Sequence, residues 1–193
     1  AIRALRRTGT GAEVVTTGRK LDRAEAEQLM RQIAADPSVE YVEVDQLLQI
    51  ALTPNDPRYS QQWGYFNATG GIRADQAWDV STGAGIVVAV LDTGSTSHSD
   101  LNGNTIAGYD MISDATVGGD GNGRDSNPAD PGDYSGGQPS SWHGTHVAGT
   151  VAALTNNNNG VAGTAFGAKV SHVRVLGRGG GYTSDIADGI IWA

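Results

Sequence analysis

The chain has 193 residues, no cysteine, 38% hydrophobic residues and a formal net charge of −8. These values exclude wholesale disorder, disulfide or thiolate chemistry, and any electrostatic basis for binding nucleic acid. No apolar run approaches the roughly 20 residues of a membrane span. Residues 1–50 differ from the rest: Arg3, Arg6, Arg7, Arg19, Lys20, Arg23 and Arg31 place seven of the 13 basic residues there, and residues 51–193 are more acidic. The chain starts at Ala1 with no signal-peptide pattern, so it is expected to begin inside a longer precursor.

In chain order, residues 11–21 (GAEVVTTGRKL) predict a strand and residues 22–37 a helix. Asp22 and Glu25 have the spacing of a capping box, Ala26, Leu29, Met30 and Ile33 form an apolar stripe, and Pro37 closes the helix. Residues 38–46 (SVEYVEVDQ) alternate as a second strand. Residues 51–65, rich in turn formers, read as a linker or extended arm, and residues 72–80 as a short helix. The apolar run AGIVVAVLD, residues 84–92, predicts a strand buried on both faces. Residues 113–141 form a long polar loop, of the kind that is functional or metal-bound in a compact domain. A small-residue helix over 143–154, a buried strand over 168–177 and a helix from 184 complete the pattern, with Ser184 or Asp185 near the last cap. Strands alternating with helices predict an α/β fold: a parallel sheet flanked by helices, preceded by a small α+β segment.

The strand over 84–92 runs into Asp92-Thr93-Gly94-Ser95. An aspartic protease would use such an acid as one of two carboxylates sharing a proton, and this chain holds one Asp-Thr-Gly, so a dimer would have to supply the other. The alternative is an acid that orients a histidine. The stretch SSWHGTHVAGTVAAL offers one at the start of a helix, His143. His146 is three residues on rather than four, and no glutamate follows His143, so the pair fits a zincin site poorly.

VVAVLDTGSTSHSDL followed by HGTHVAGTVAAL resembles the first two catalytic motifs of the subtilisin-like serine proteases. NNNNGVAGTAFGAKVSHVRVLG continues the match, GGGYTSDIADGIIWA resembles the segment lining the substrate cleft, and residues 1–50, above all AADPSVEYVEVD, resemble part of the family's propeptide. The resemblance implies a propeptide part over 1–50 and the amino-terminal part of the catalytic domain over 51–193. It implies a secreted endopeptidase acting on proteins or peptides, with the propeptide docked on the catalytic domain and no nucleic-acid or membrane partner.

In this reading Asp92 fixes the tautomer of His143, and His143 is the general base for a serine. Ser171 and Ser184, the serines after His143, lack the family's Gly-Thr-Ser context, so the nucleophile is expected beyond this chain and the chain is expected to be a fragment, inactive alone; the alternative is a non-catalytic pseudoprotease that only binds peptides. Leu176, Gly179, Gly180 and Gly181 correspond to a strand edge that pairs with extended substrate, and Tyr182 to the cover of a side-chain pocket. The stretch is one residue shorter than in some relatives, and a plain turn is the alternative for the glycines. Calcium is the implied cofactor: Asp56, Asp100 and Asn157, with carbonyls near Leu154, Asn159 and Val161, supply hard oxygens. Asp114, Asp120 and Asp125 in the long loop are a second candidate set, with a solvated loop as the alternative. Propeptide cleavage is expected within Gln46–Thr53.

Overall fold

The computed structural model describes residues 2–45, 52–134, 137 and 139–193. It contains two units, Ala1–Gln49 and Ile50–Ala193. In the first, β1 (Ile2–Arg7) pairs antiparallel with β2 (Glu13–Thr17), the register slipping between Ala4 and Arg6. Helix α1 (Arg23–Ala34) comes next. Its start is the expected capping box: Glu25 N donates to Asp22 Oδ1 at 2.9 Å and Asp22 N to Glu25 Oε2 at 3.2 Å. The Arg19 guanidinium grips the same carboxylate through two hydrogen bonds of 2.8 and 2.6 Å. That grip, helped by the Asp22 amide, holds Glu25 down at about 2.

One element of this unit is unexpected and one expectation needs correction. The strand over residues 2–7 has no counterpart in the sequence pattern, because its arginines and scattered apolar residues carry no clean alternation. The strand expected over 38–46 does not form over 38–45, and Gln46 lies outside the described residues, as does most of the expected cleavage region. Asp36 turns the chain there by accepting from Ser38 N at 2.9 Å and Ser38 Oγ at 2.7 Å, and alternation alone found no partner strand.

The second unit opens with the stretch that reads as a linker, which is instead part of a core. A 3-10 turn over Tyr59–Gln61 leads to α2 (Trp63–Phe66) and α3 (Ala74–Ala77). Tyr59, Tyr65, Ala74 and Trp78 bury their side chains with Ala162, and Leu52 and Phe166 pack against them. Aromatic edges meet faces here, as between Tyr65 and Trp78 at 5.6 Å. The buried polar tips are satisfied: Trp78 Nε1 donates to Thr164 O at 2.8 Å, and Tyr65 Oη bonds Thr164 Oγ1 at 2.9 Å.

The sheet is parallel, in the order β3–β5–β4, from β3 (Val87–Asp92), β4 (Thr105–Asp110) and β5 (Lys169–Arg174). Between β4 and β5 lie α4 (Ala115–Gly118) and α5 (His143–Ala152), and α6 (Thr183–Trp192) comes after β5. Period-two alternation sends Val88, Val90 and Val170 to one face, where Ala148 and Ala152 of α5 cover them. Ala89, Leu91 and Val173 point to the other face, with Ile186 of α6. The α/β architecture expected from the alternating elements is therefore present. Strand β4 gives no such signal: TIAGYD is short and broken by a glycine. The cap of α6 is Tyr182, without a side-chain hydrogen bond, so Ser184 lies inside the first turn rather than capping it.

Candidate active site

Register places Asp92 opposite Arg174 at the carboxyl end of β3, the end at which open α/β sheets bind ligands. Its main-chain carbonyl accepts from Val175 N and Leu176 N at 2.9 and 3.2 Å, which fixes the strand exit. Helix α5 begins at His143. His143 Nδ1 lies 2.8 Å from Asp92 Oδ1 and 2.7 Å from Oδ2. A carboxylate only accepts, so Nδ1 carries the proton and Nε2 is the basic nitrogen. The Asp92 side chain is 10% exposed and that of His143 60%, so the anion is enclosed while the imidazole faces outward. Asp92 is bonded to an imidazole, not to a second carboxylate, which removes the reason for the aspartic-protease alternative.

The two segments are packed closely and stitched by backbone amides donating to threonine hydroxyls. A Cβ on Gly144 would stand 2.3 Å from Gly94 O, so a side chain at 144 would force the helix away from the acid loop. Gly144 N donates to Thr93 Oγ1 at 3.0 Å and Thr96 N to Thr145 Oγ1 at 2.8 Å. Thr93 Oγ1 in turn donates to Asp130 Oδ2 at 2.8 Å, and His143 N donates to Ser141 Oγ at 3.2 Å. Sequence reasoning does not single out Asp130. It lies 37 positions from Thr93, and its Pro-Ala-Asp-Pro surroundings signal only a turn.

Leu176 packs into the core beside Val173 and Val175, while Tyr182 is exposed. Gly177 and Gly180 exchange hydrogen bonds of 2.8 and 3.1 Å, and Gly179 and Gly180 have φ of +80° and +117°. Gly179 and Gly180 are therefore in a tight turn rather than an extended strand edge. The first serine after His143, Ser171, is buried in β5 and donates to Ala107 O at 2.8 Å.

The residues expected to hold calcium fall into two groups. Asp56 and Asp100 are both buried beside the turn at 156–161. Asp56 Oδ2 accepts from Asn156 N at 2.9 Å, while its Oδ1 is buried without a partner. Asp100 Oδ1 accepts from Asn157 Nδ2 at 2.7 Å and Oδ2 from Val161 N at 3.0 Å; Asp100 O accepts from Leu154 N at 2.7 Å. Asn159 N donates to Asn157 Oδ1 at 2.9 Å. Gly160 is required there: φ is +54° and a Cβ would stand 2.1 Å from Asp100 Oδ2. The orphaned Asp56 oxygen and this oxygen-only donor set fit a hard divalent cation. Among the described residues no three His, Cys, Asp or Glu side chains converge as a metal-holding group.

The long loop does not gather its three acids. Asp114 caps α4 through Thr116 N at 2.8 Å, which holds its carboxyl below the usual range. Asp120 pairs with the buried Arg174 at 2.8 Å, and Asp125 accepts from Asn122 Nδ2 at 2.8 Å. Each is occupied with loop structure. Sequence reasoning places Asp185 only near a helix cap and misses its role: its buried carboxylate holds Ser113 N at 3.0 Å and Arg124 Nη2 at 2.6 Å and so anchors the loop on α6. Burial alone would raise its pKa, but these hydrogen bonds outweigh it and leave the carboxyl below its usual range.

Fold and site together define an α/β protein that presents an acid–imidazole couple at the carboxyl end of a parallel sheet. The chain belongs to the subtilase family, whose model matches residues 83–193. It is 61% identical over its whole length to an extracellular protease of Xanthomonas campestris pv. campestris, covering 35% of that protein. It is 51% identical over 98% of its length to an extracellular basic protease of Dichelobacter nodosus, covering 34% of it. The chain thus spans about a third of the length of these relatives. Among solved structures, a protease from Pseudoalteromonas arctica matches with a TM-score of 0.71 at 61% identity, over 73% of this chain and 44% of that one. Fervidolysin from Fervidobacterium pennivorans, described as a keratinolytic enzyme related to subtilisin, matches with a TM-score of 0.51 at 31% identity, over 82% of this chain and 22% of that one.

Proposed function

We propose that the chain is part of a secreted, calcium-stabilised serine endopeptidase and carries the acid and the base of its catalytic triad. One observation carries the reading: both Asp92 oxygens lie within 2.8 Å of His143 Nδ1. Asp92 holds the imidazole in the tautomer that leaves Nε2 basic and stabilises the imidazolium that forms. His143 takes the proton of an attacking serine and returns it to the leaving amine. The nucleophilic hydroxyl is supplied by a segment outside this chain; Ser171 is committed to Ala107 O, and Ser184 is wound into α6.

Protein or peptide substrate lies along the exposed turn at Gly179–Gly181 and Tyr182, next to Leu176, whose amide bonds Asp92 O. Residues 1–50 act as a propeptide that docks on the catalytic domain, assists its slow-folding parallel sheet and blocks the cleft until it is cut away. Asp56, Asp100 and Asn157, with the carbonyls near Leu154, Asn159 and Val161, would hold calcium, which supplies charge to bind the arm to the 156–161 turn. A fluorophosphonate probe tests the reading. The full-length protein should be labelled at one serine and hydrolyse a chromogenic peptide, while residues 1–193 alone take no label. Labelling within 1–193 would place the nucleophile wrongly.

A further inference from the structure

The long acidic loop contributes two carboxylates that the mechanism above does not use, and both lead to the backbone that carries His143. The first four N–H groups of a helix have no partner within it. Helix α5 begins after Trp142, which provides no side-chain cap. Its first two amides are instead met from outside by hydroxyls, Ser141 Oγ for His143 N and Thr93 Oγ1 for Gly144 N. Each hydroxyl is itself aimed by an aspartate. Ser141 Oγ donates to Asp133 Oδ2 at 2.6 Å, and Thr93 Oγ1 to Asp130 Oδ2 at 2.8 Å.

The Asp130 relay is the buried one. Asp130 and Thr93 are 7% and 5% exposed, whereas the Ser141–Asp133 bonds are exposed to solvent. Asp130 is held in place by Gly132 N, which donates to its Oδ1 at 2.8 Å, and by a main-chain bond of 2.9 Å from its own N–H to Ser95 O. With both oxygens of Asp130 accepting, the single Thr93 hydroxyl proton points at Asp130. A lone pair is thereby left for Gly144 N. Thr93 directly follows Asp92, and Gly144 directly follows His143. The relay ties together the two peptide segments whose side chains form the acid–imidazole couple.

We propose that Asp130 is a positioning residue for the reaction: it orients Thr93 so that the start of α5 is clamped against the Asp92 loop, which sets the His143–Asp92 geometry. Asp133 does the same more weakly through Ser141. The inference rests on the proposed function for its kinetic consequence but not for its geometry.

The test uses the full-length protein that contains this chain. Asp130→Asn sets an N–H against either Gly132 N or the Thr93 hydroxyl proton, and Thr93→Val removes the hydroxyl at nearly constant shape. Each should lower kcat about ten- to a hundredfold with KM nearly unchanged, the loss of one charge-assisted hydrogen bond expressed in the transition state. Thr93→Ser keeps the relay and stays near the parent, Asp133→Asn loses less than Asp130→Asn, and the Asp130→Asn/Thr93→Val pair is no slower than the slower single variant. NMR of the His143 Nδ1–H proton reads the same geometry without turnover, and its low-field resonance should move or broaden in both variants. If one variant does not fold, as judged by near-UV circular dichroism, the other carries the test. Parental kcat with an unmoved resonance, or full additivity in the double variant, overturns the inference. A parent that neither hydrolyses peptide nor takes the fluorophosphonate overturns the proposed function instead, and the resonance still decides the relay.

Discussion

The two units of this chain are built by different means. Among the described residues of 2–45, none is buried; the unit is held by the Asp22–Glu25 box, the Arg19 grip on Glu25 and a two-stranded ladder. Beyond residue 50, three apolar clusters close around a parallel sheet, and charged groups such as Asp92, Asp110 and Arg174 are buried with partners. Local capping is enough to define a helix but leaves little hydrophobic stabilisation. Long-range packing is what allows a carboxylate to be enclosed and aimed. The site is therefore expected to respond to long-range contacts and the small unit to local ones.

The contrast can be broken at several points, in descending order of effect. Asp92→Asn should cost about ten-thousandfold in kcat by presenting the wrong hydrogen-bonding partner to Nδ1, while leaving the fold intact; peptide hydrolysis and circular dichroism measure the two sides. Removing calcium with a chelator should lower Tm by roughly 5–10 °C if the ion is normally present at about a hundredfold over its Kd. Asp56→Asn should abolish that dependence, and a Tm indifferent to chelator would count against the site.

A smaller effect concerns His172, buried at the centre of the sheet with both ring nitrogens unpartnered. Burial lowers its pKa below the unfolded value. The unfolded state therefore binds the extra proton first. Stability is complete above the ordinary imidazole range and falls as pH drops through it, with a slope of at most about 1.4 kcal/mol per pH unit. His172→Leu should flatten the pH dependence of stability measured by urea unfolding between neutral and mildly acid pH. The smallest effect is expected in the first unit. Asp22→Ala removes a cap worth about 1 kcal/mol, so amide exchange in α1 should quicken roughly fivefold. Exchange in α5 should be untouched. Glu25, held at about 2, keeps its contribution above its ordinary range and loses it only as pH falls toward that value.

Legibility in the sequence divides along the same line. The Asp22 cap, the apolar run into Asp92 and the small-residue helix from His143 all carry local signals, and all three elements form. The pairing of Asp92 with His143 spans 51 positions and is reached through motif resemblance rather than periodicity. Tyr59 and Tyr65 are hidden because turn-rich composition says nothing about where an aromatic ring will be buried. Strand β4 fails the alternation test because of Gly108. Asp130 carries the signature of an ordinary turn residue, and only the folded loop brings it to Thr93. The three acids of 114–125 show the converse: dense negative charge in sequence, divided in space among a cap, an ion pair and an amide.

The clasp between the arm and the asparagine-rich turn joins residues 100 positions apart through Asp56 and Asn156, and Asn55 bonds both Asn156 and Asn158 at 3.0 Å. Strands β3 and β4 and the whole of the His143 helix lie inside the loop it closes. Closing so long a loop costs little more than closing one half its length, since the entropy grows only with the logarithm of length. The loop leaves out β5, the central strand with which both β3 and β4 pair. The clasp therefore acts as a strap, tying the start of the second unit to the turn that precedes that central strand at little entropic cost.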